Sequence, residues 1–168
     1  MHTAPPEIAA RLESDPSLIA GNVFGIRQAW PLREQARRLD VGHVLNCAVT
    51  DSLRPDIPGA LQAHHAGLFE CTLDDGSLIW SGGAYDLFGL ERGTSITRGQ
   101  AIRHYLEDSR AALERLRTHA IRFEQGFTLD AEIRAAAVGE VRRIRVIAAP
   151  LFEKGIAVSL HGVKILIG

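Results

Sequence analysis

The sequence predicts an α+β fold in which one antiparallel sheet carries helices on a single face. Three observations point there. Asp75-Gly76 stands between the apolar-rich runs LFECTL and LIWS, the strongest short-range hairpin signal in the chain. The stretch that follows, to about Ile121, carries apolar residues at helical spacing. From Phe127 onward the period changes to two, with Phe127, Leu129, Ala131 and Ile133 alternating with Thr128, Asp130, Glu132 and Arg134. Two strands, several short helices and three more strands make a five-stranded antiparallel sheet.

Residues 1–58 are expected to form a partly helical N-terminal extension, and residues 59–168 the main domain. Pro5 and Pro6 open a short helix through Glu13, because proline lacks an N–H that the first turn leaves unpaired anyway. Pro31 repeats the device and leads a helix to Asp40. VGHVLNCAVT fits a strand or a helix equally, and RPDIPG marks the boundary. GALQAHHAG reads as a short helix entering the first strand. After the hairpin, GGAYDLFGL forms a helix that docks Tyr85, Leu87 and Phe88 into a core, with Gly89 accepting a left-handed turn. Thr97 and Gln100 stand at capping-box spacing and start the next helix. Ala112, Leu113, Leu116 and Ala120 lie along one stripe of its continuation. AAVGE turns the chain after the alternating strand, and EKG joins VRRIRVIAAPLF to GIAVSLHGVKILIG as a second hairpin. On the wet face of the sheet, Asp130 and Glu132 are expected opposite Arg143 and Arg145, at roughly 0.2–1 kcal/mol per pair.

Composition narrows the function classes. A chain of 168 residues with 46% hydrophobic and 23% charged residues can bury a core and is not disordered. A net charge of -1 without a Lys/Arg tract offers little to a phosphate backbone, so nucleic acid is not an expected partner. No apolar run is long enough to span a bilayer and MHTAPPEIAARLESD has no signal-peptide order, so no membrane partner is expected and the default location is cytoplasmic. Cys47 and Cys71 are too far apart for a C-x-x-C pair and have no zinc-ligand neighbours, so they are expected reduced and buried, with no metal site.

GLFECTLDDGSLIWSGGAYDLFGL, a strand pair ending in Trp-Ser before a Tyr-x-Leu-Phe-Gly-Leu helix, resembles a PAS domain. GEVRRIRVIAAPLFEKG is similar to the later PAS hairpin. The resemblance covers about residues 59–168 and implies a sensory or interaction module without catalysis. Two departures stand out. HYLEDS keeps Glu107 and Asp108 but not the His-Pro that often precedes the long helix, and GVKILIG places Leu166 near the family's usual aspartate. Output is therefore expected through the sheet face, the N-terminal segment or a separate signalling partner.

Periodicity turns Phe69, Trp80, Tyr85, Phe88, Leu113, Leu116, Phe127, Ile144 and Leu160 inward, as candidate linings of a pocket between sheet and helices. Such a pocket is either filled by its own side chains, the expectation from dense packing, or suited to a small hydrophobic or aromatic ligand. Haem-binding members of the family use a histidine from the long helix, which makes His119 and His104 candidates, with His119 bordering the apolar stripe. The alternative for His119 is a helix-end histidine interacting with the dipole. The flavin branch uses a reactive cysteine in an Asn-Cys-Arg motif; Asn46-Cys47 lies before the resembling region, and Cys71 reads as a small buried hydrophobe. No cofactor is expected, with haem and flavin as the alternatives.

His64-His65 point in different directions and chelate poorly. Asp74-Asp75 belong to a turn, the glycines form no phosphate loop, and no catalytic residues are assigned. The functional expectation is a non-catalytic sensory or protein-interaction module in signal transduction. It is expected to form a homodimer through the extension and the sheet, because Val23-Phe24 and Val44-Leu45 need burial. A small-molecule carrier or an enzyme on a similar curved sheet is the alternative.

Overall fold

The computed structural model describes residues 27–35 and 65–168. Six strands form one sheet: β1 (Arg27–Pro31), β2 (Ala66–Thr72), β3 (Leu78–Trp80), β4 (Gln125–Arg134), β5 (Val141–Glu153) and β6 (Ile156–Leu166), in the spatial order β1-β4-β5-β6-β2-β3. Every neighbouring pair is antiparallel. Three helices lie between β3 and β4 in the chain: α1 (Gly82–Phe88), α2 (Arg98–Ile102) and α3 (Glu107–Phe123). Both predicted hairpins are present, with Gly76 and Gly155 at positive φ in their turns.

The sixth strand corrects the expected count of five. The extension, read as partly helical, contributes β1 along the free edge of β4; Pro31 closes that strand and a 3-10 turn, Leu32–Glu34, follows it, while residues 36–40 of the helix expected to Asp40 lie outside the described residues. The reason is local. Trp30, 2% exposed, lies across Gly126, where an added Cβ would sit 2.3 Å from its ring. Burying an indole there favours the strand pairing. Of the helix read in GALQAHHAG, Ala66 and Gly67 belong to β2, and residues 59–64 lie outside the described residues. Gly67 is a contact point: a Cβ would approach Ala84 N at 2.1 Å, and one on Gly83 would reach Ala66 O at 2.0 Å. Helix α1 therefore rests directly on the β2 backbone.

The Trp-Ser junction gains a physical reason from this contact. Ser81 Oγ accepts the Leu68 N–H at 2.8 Å, and Ser81 N donates to Leu68 O at 3.0 Å, which ties the start of α1 to β2. Gly89 ends α1 at φ 65°, the left-handed turn expected of it. The capping box opens α2 with both halves in place: Gln100 N donates to Thr97 Oγ1 at 3.2 Å, and Thr97 N donates to Gln100 Oε1 at 2.8 Å. Helix formation then stops for one turn. Tyr105 bridges to Ile133, Leu106 N donates to Glu132 O at 3.0 Å, and Arg134 N donates to His104 O at 2.7 Å. The backbone there borrows its partners from β4, so α2 and α3 are separate helices.

The core lies between the helices and the inner sheet face, which carries Phe69, Phe127, Leu129, Ala131, Ile133, Ile144, Val146, Ala148 and Leu160. The opposite face differs from the wet surface expected. Leu68, Thr128, Asp130, Ile147, Ala149 and Val163 are all buried there. The Asp130–Arg145 register was anticipated, but the pair is buried and bidentate, at 2.6 and 2.9 Å. Glu132, opposite Arg143, and Arg134 at the strand's end keep the expected exposure. On the same face Gln35 Nε2 meets His161 Nε2 at 2.7 Å, and burial lowers the His161 pKa to about 4.

The helix expected at Pro5–Glu13, residues 36–40, Val23-Phe24, the run at 41–50 with Val44-Leu45 and Cys47, the RPDIPG boundary and His64 lie outside the described residues. Among the described residues, no helix is long and apolar enough to cross a membrane.

Candidate functional site

The strand alternation that builds the inner face also sets the site. Along β6, Leu160, Gly162, Lys164 and Leu166 point to the helices. The close passage of Gly162 against β5, where a Cβ would meet Ile147 O at 1.9 Å, fixes the strand next to Lys164. The lysine is 6% exposed and its Nζ donates to Tyr105 Oη at 2.7 Å. Four rings surround the ammonium, with centroids at 4.6 Å (Phe69), 5.2 Å (Phe88), 5.3 Å (Tyr105) and 5.8 Å (Trp80). Their negative faces offset part of the lost hydration, at about 2 kcal/mol for a desolvated contact. Burial still prevails. It lowers the Lys164 pKa to about 7 and raises that of the Tyr105 hydroxyl.

Lys164 forms one wall of a cavity of about 50 Å³ between the sheet and helices α2 and α3. At roughly 10–15 Å³ per water, that is room for three to five water-sized groups. Phe69, Leu78, Trp80, Phe127, Val146 and Leu160 supply its sheet side, and Ala101, Ile102 and Leu113 its helical side. The polar lining is Cys71, Arg98, Tyr105, Arg117 and Lys164. Burial pushes the Cys71 thiol up, opposed by the charges of Arg117, Arg98 and Lys164. Arg117 is itself pushed down by burial and then by neighbouring Arg98. Arg98 is ion-paired to Glu114.

Five of the nine residues expected to line the pocket do so: Phe69, Trp80, Leu113, Phe127 and Leu160. Tyr85, Phe88, Leu116 and Ile144 pack in the same core without facing the cavity. Phe88 and Tyr85 instead hold the Trp80 ring, at 4.7 and 5.4 Å between centroids. Three cationic side chains, Arg98, Arg117 and Lys164, join the residues that periodicity turns inward. The signal for Lys164 was its shared parity with Leu160, and for Arg117 its position one turn after Leu113.

The two histidines lie elsewhere. His119, the candidate bordering the apolar stripe, is exposed as in the helix-end alternative, with Nε2 3.0 Å from Gln125 Oε1 and its ring on Phe123. His104 places Nδ1 3.1 Å from Arg134 O and packs edge-on against Phe88. Neither histidine lines the cavity. They are not placed to ligate a haem iron there. Among the described residues no cluster of three metal-ligating side chains occurs.

No family model and no curated protein matches the chain. Solved structures do match. The N-terminal domain of a diguanylate cyclase with PAS/PAC sensor from Marinobacter aquaeolei has a TM-score of 0.55 at 12% identity, covering 61% of this chain and 94% of that one. A sensory box histidine kinase/response regulator from Burkholderia thailandensis has a TM-score of 0.53 at 20% identity, covering 64% and 81%. An RNA-binding light-oxygen-voltage receptor has a TM-score of 0.53 at 16% identity, and the match covers 60% of this chain but only 29% of the receptor. The likeness at these identities is one of architecture, and it agrees with the motif in β2, β3 and α1: this chain carries the PAS fold.

Proposed function

We propose that this chain is a non-catalytic sensory module of signal transduction, in which occupancy of the cavity between sheet and helices is the input and a separate protein receives the output. One observation carries the reading. A protein stabilises its core poorly by burying an ammonium, and an apolar side chain of similar volume would do better. Lys164 is nevertheless held among four aromatic rings on the wall of a cavity, which is the arrangement of a recognition group kept for a ligand. The solved neighbours support the signalling context, being a cyclase sensor domain and a sensory box kinase. Residues 59–168 are the sensory unit in this reading, with residues 1–58 and the sheet providing self-association. The exposed apolar side chains Ile79, Val141 and Ile156 are available to an output partner.

The test is a native mass spectrum and an absorption spectrum of the purified full chain, followed by a thermal-shift screen of small metabolites. A colourless protein whose melting temperature rises with a compound it does not convert supports the reading. Turnover of that compound, or no stabilisation by any class of small molecule, contradicts it. Sedimentation velocity reads the self-association, which a strict monomer at high concentration would exclude.

A further inference from the structure

The cavity has more hydrogen-bond donors than acceptors. Arg98, Arg117 and Lys164 line it, no Asp or Glu does, and Glu114 answers Arg98 at one side. Two buried donors in lining residues, Trp80 Nε1 and Arg117 Nε, have no hydrogen-bond partner among the described residues. The Lys164 ammonium has three N–H groups, of which Tyr105 Oη takes one. Buried donors without acceptors are uncommon and call for a bound group that supplies acceptors. A carboxylate brings two oxygens with about four lone-pair sites. The remaining walls, Phe69, Leu113, Phe127 and Leu160, are apolar and suit a short hydrocarbon body.

Resting on the reading of this cavity as a ligand site, we propose that its ligand is a short monocarboxylate of the size of acetate or propionate, held by Lys164 and Arg117 with the indole N–H of Trp80. The size follows from a space of about 50 Å³. Inorganic oxyanions would satisfy the donors but leave the apolar walls uncovered.

The proposal carries its own pH dependence. Lys164 is faced by Tyr105 from the α2–α3 connection, Cys71 from β2, Arg117 from α3 and Arg98 from α2. Its free pKa of about 7 means that the ammonium must be recharged to hold an anion above that pH. The carboxylate stays ionised throughout, so affinity weakens as pH rises through 7.

Calorimetric titration of the full chain with propionate at pH 6.5 and 8.5, beside propionamide and inorganic phosphate, tests this. Expected are propionate binding at pH 6.5, at least tenfold weaker binding at pH 8.5, and at least tenfold weaker binding of propionamide and phosphate. Lys164→Met and Arg117→Gln should each weaken propionate tenfold or more while melting cooperatively. Arg117 is only half-buried, so its variant remains informative if the lysine variant does not fold. Propionamide or phosphate binding as tightly as propionate, or unchanged affinity in Arg117→Gln, overturns the proposal. If neutral metabolites stabilise the protein and propionate does not, only the carboxylate inference falls; if nothing binds, the ligand-site reading falls with it.

Discussion

Replacing Lys164 with methionine should change how stability depends on pH more than it changes the fold. The side chains are of similar length, and Met can fill the space among Phe69, Phe88, Tyr105 and Trp80. In the unfolded chain the lysine titrates near 10.5, and in the folded protein near 7. Below pH 7 both states carry the proton, and the folded state bears the full cost of a buried charge. Between pH 7 and 10.5 the unfolded chain holds a proton that the folded protein has released, so the lysine's contribution to stability rises with pH. At about 1.4 kcal/mol per unit, the wild-type protein should gain on the order of 3 kcal/mol relative to Lys164→Met between pH 6 and 9. Cys71 and Tyr105, both raised by burial, act in the opposite sense at alkaline pH. They are present in both proteins and largely cancel in the difference. Urea denaturation of the pair at pH 6, 7, 8 and 9 measures it. A difference that stays flat across that range, or that favours the variant more as pH rises, would refute a lysine buried with its charge unpaired.

Three further outcomes follow from the geometry. Asp130→Asn removes the carboxylate from a fully buried bidentate pair with Arg145 and should cost about 3–5 kcal/mol in a urea melt, far above the value for a surface pair; a loss under 1 kcal/mol would mean that the pair is solvated. Gly83→Ala should destabilise by about 1–3 kcal/mol despite the better helix propensity of alanine, because the new Cβ meets Ala66 O at 2.0 Å; a rise in melting temperature would show that α1 does not rest on β2. His104→Ala and His119→Ala should leave propionate affinity unchanged, since neither ring lines the cavity; loss of binding in either would relocate the site.

The strand pairs and the helix starts were legible because each rests on local chemistry: Asp75-Gly76 at a hairpin, Thr97 and Gln100 at a cap, Phe127 to Ile133 in alternation. Alternation tells which residues share a face but not whether that face meets water. Thr128 and Asp130 read as solvated and are buried, because burial of the second face is decided by what packs on it. The strand of Trp30 was hidden for a related reason: it exists through pairing with β4, a partner far along the chain. The same limit hid Lys164. Its parity with Leu160 placed it inward, but a lysine near the end of an apolar strand ordinarily reads as solvated. Only its neighbours from β2, β3, α1 and the α2–α3 connection show that its ammonium is enclosed. His119 takes the helix-end position that was the alternative to an inward-facing ligand, because its place on α3 turns it to solvent.

Hydrogen–deuterium exchange of the full chain with and without saturating propionate tests the central claim most directly, because it asks both where a small ligand sits and whether occupancy alters the fold around it. The account predicts slower exchange in β6 around Lys164, in α3 around Arg117 and in the Tyr105 connection, with the surface cleft lined by Asp86, Arg92, Glu140 and Arg142 unaffected. Protection confined to that cleft, or exchange unchanged throughout the chain, would contradict it.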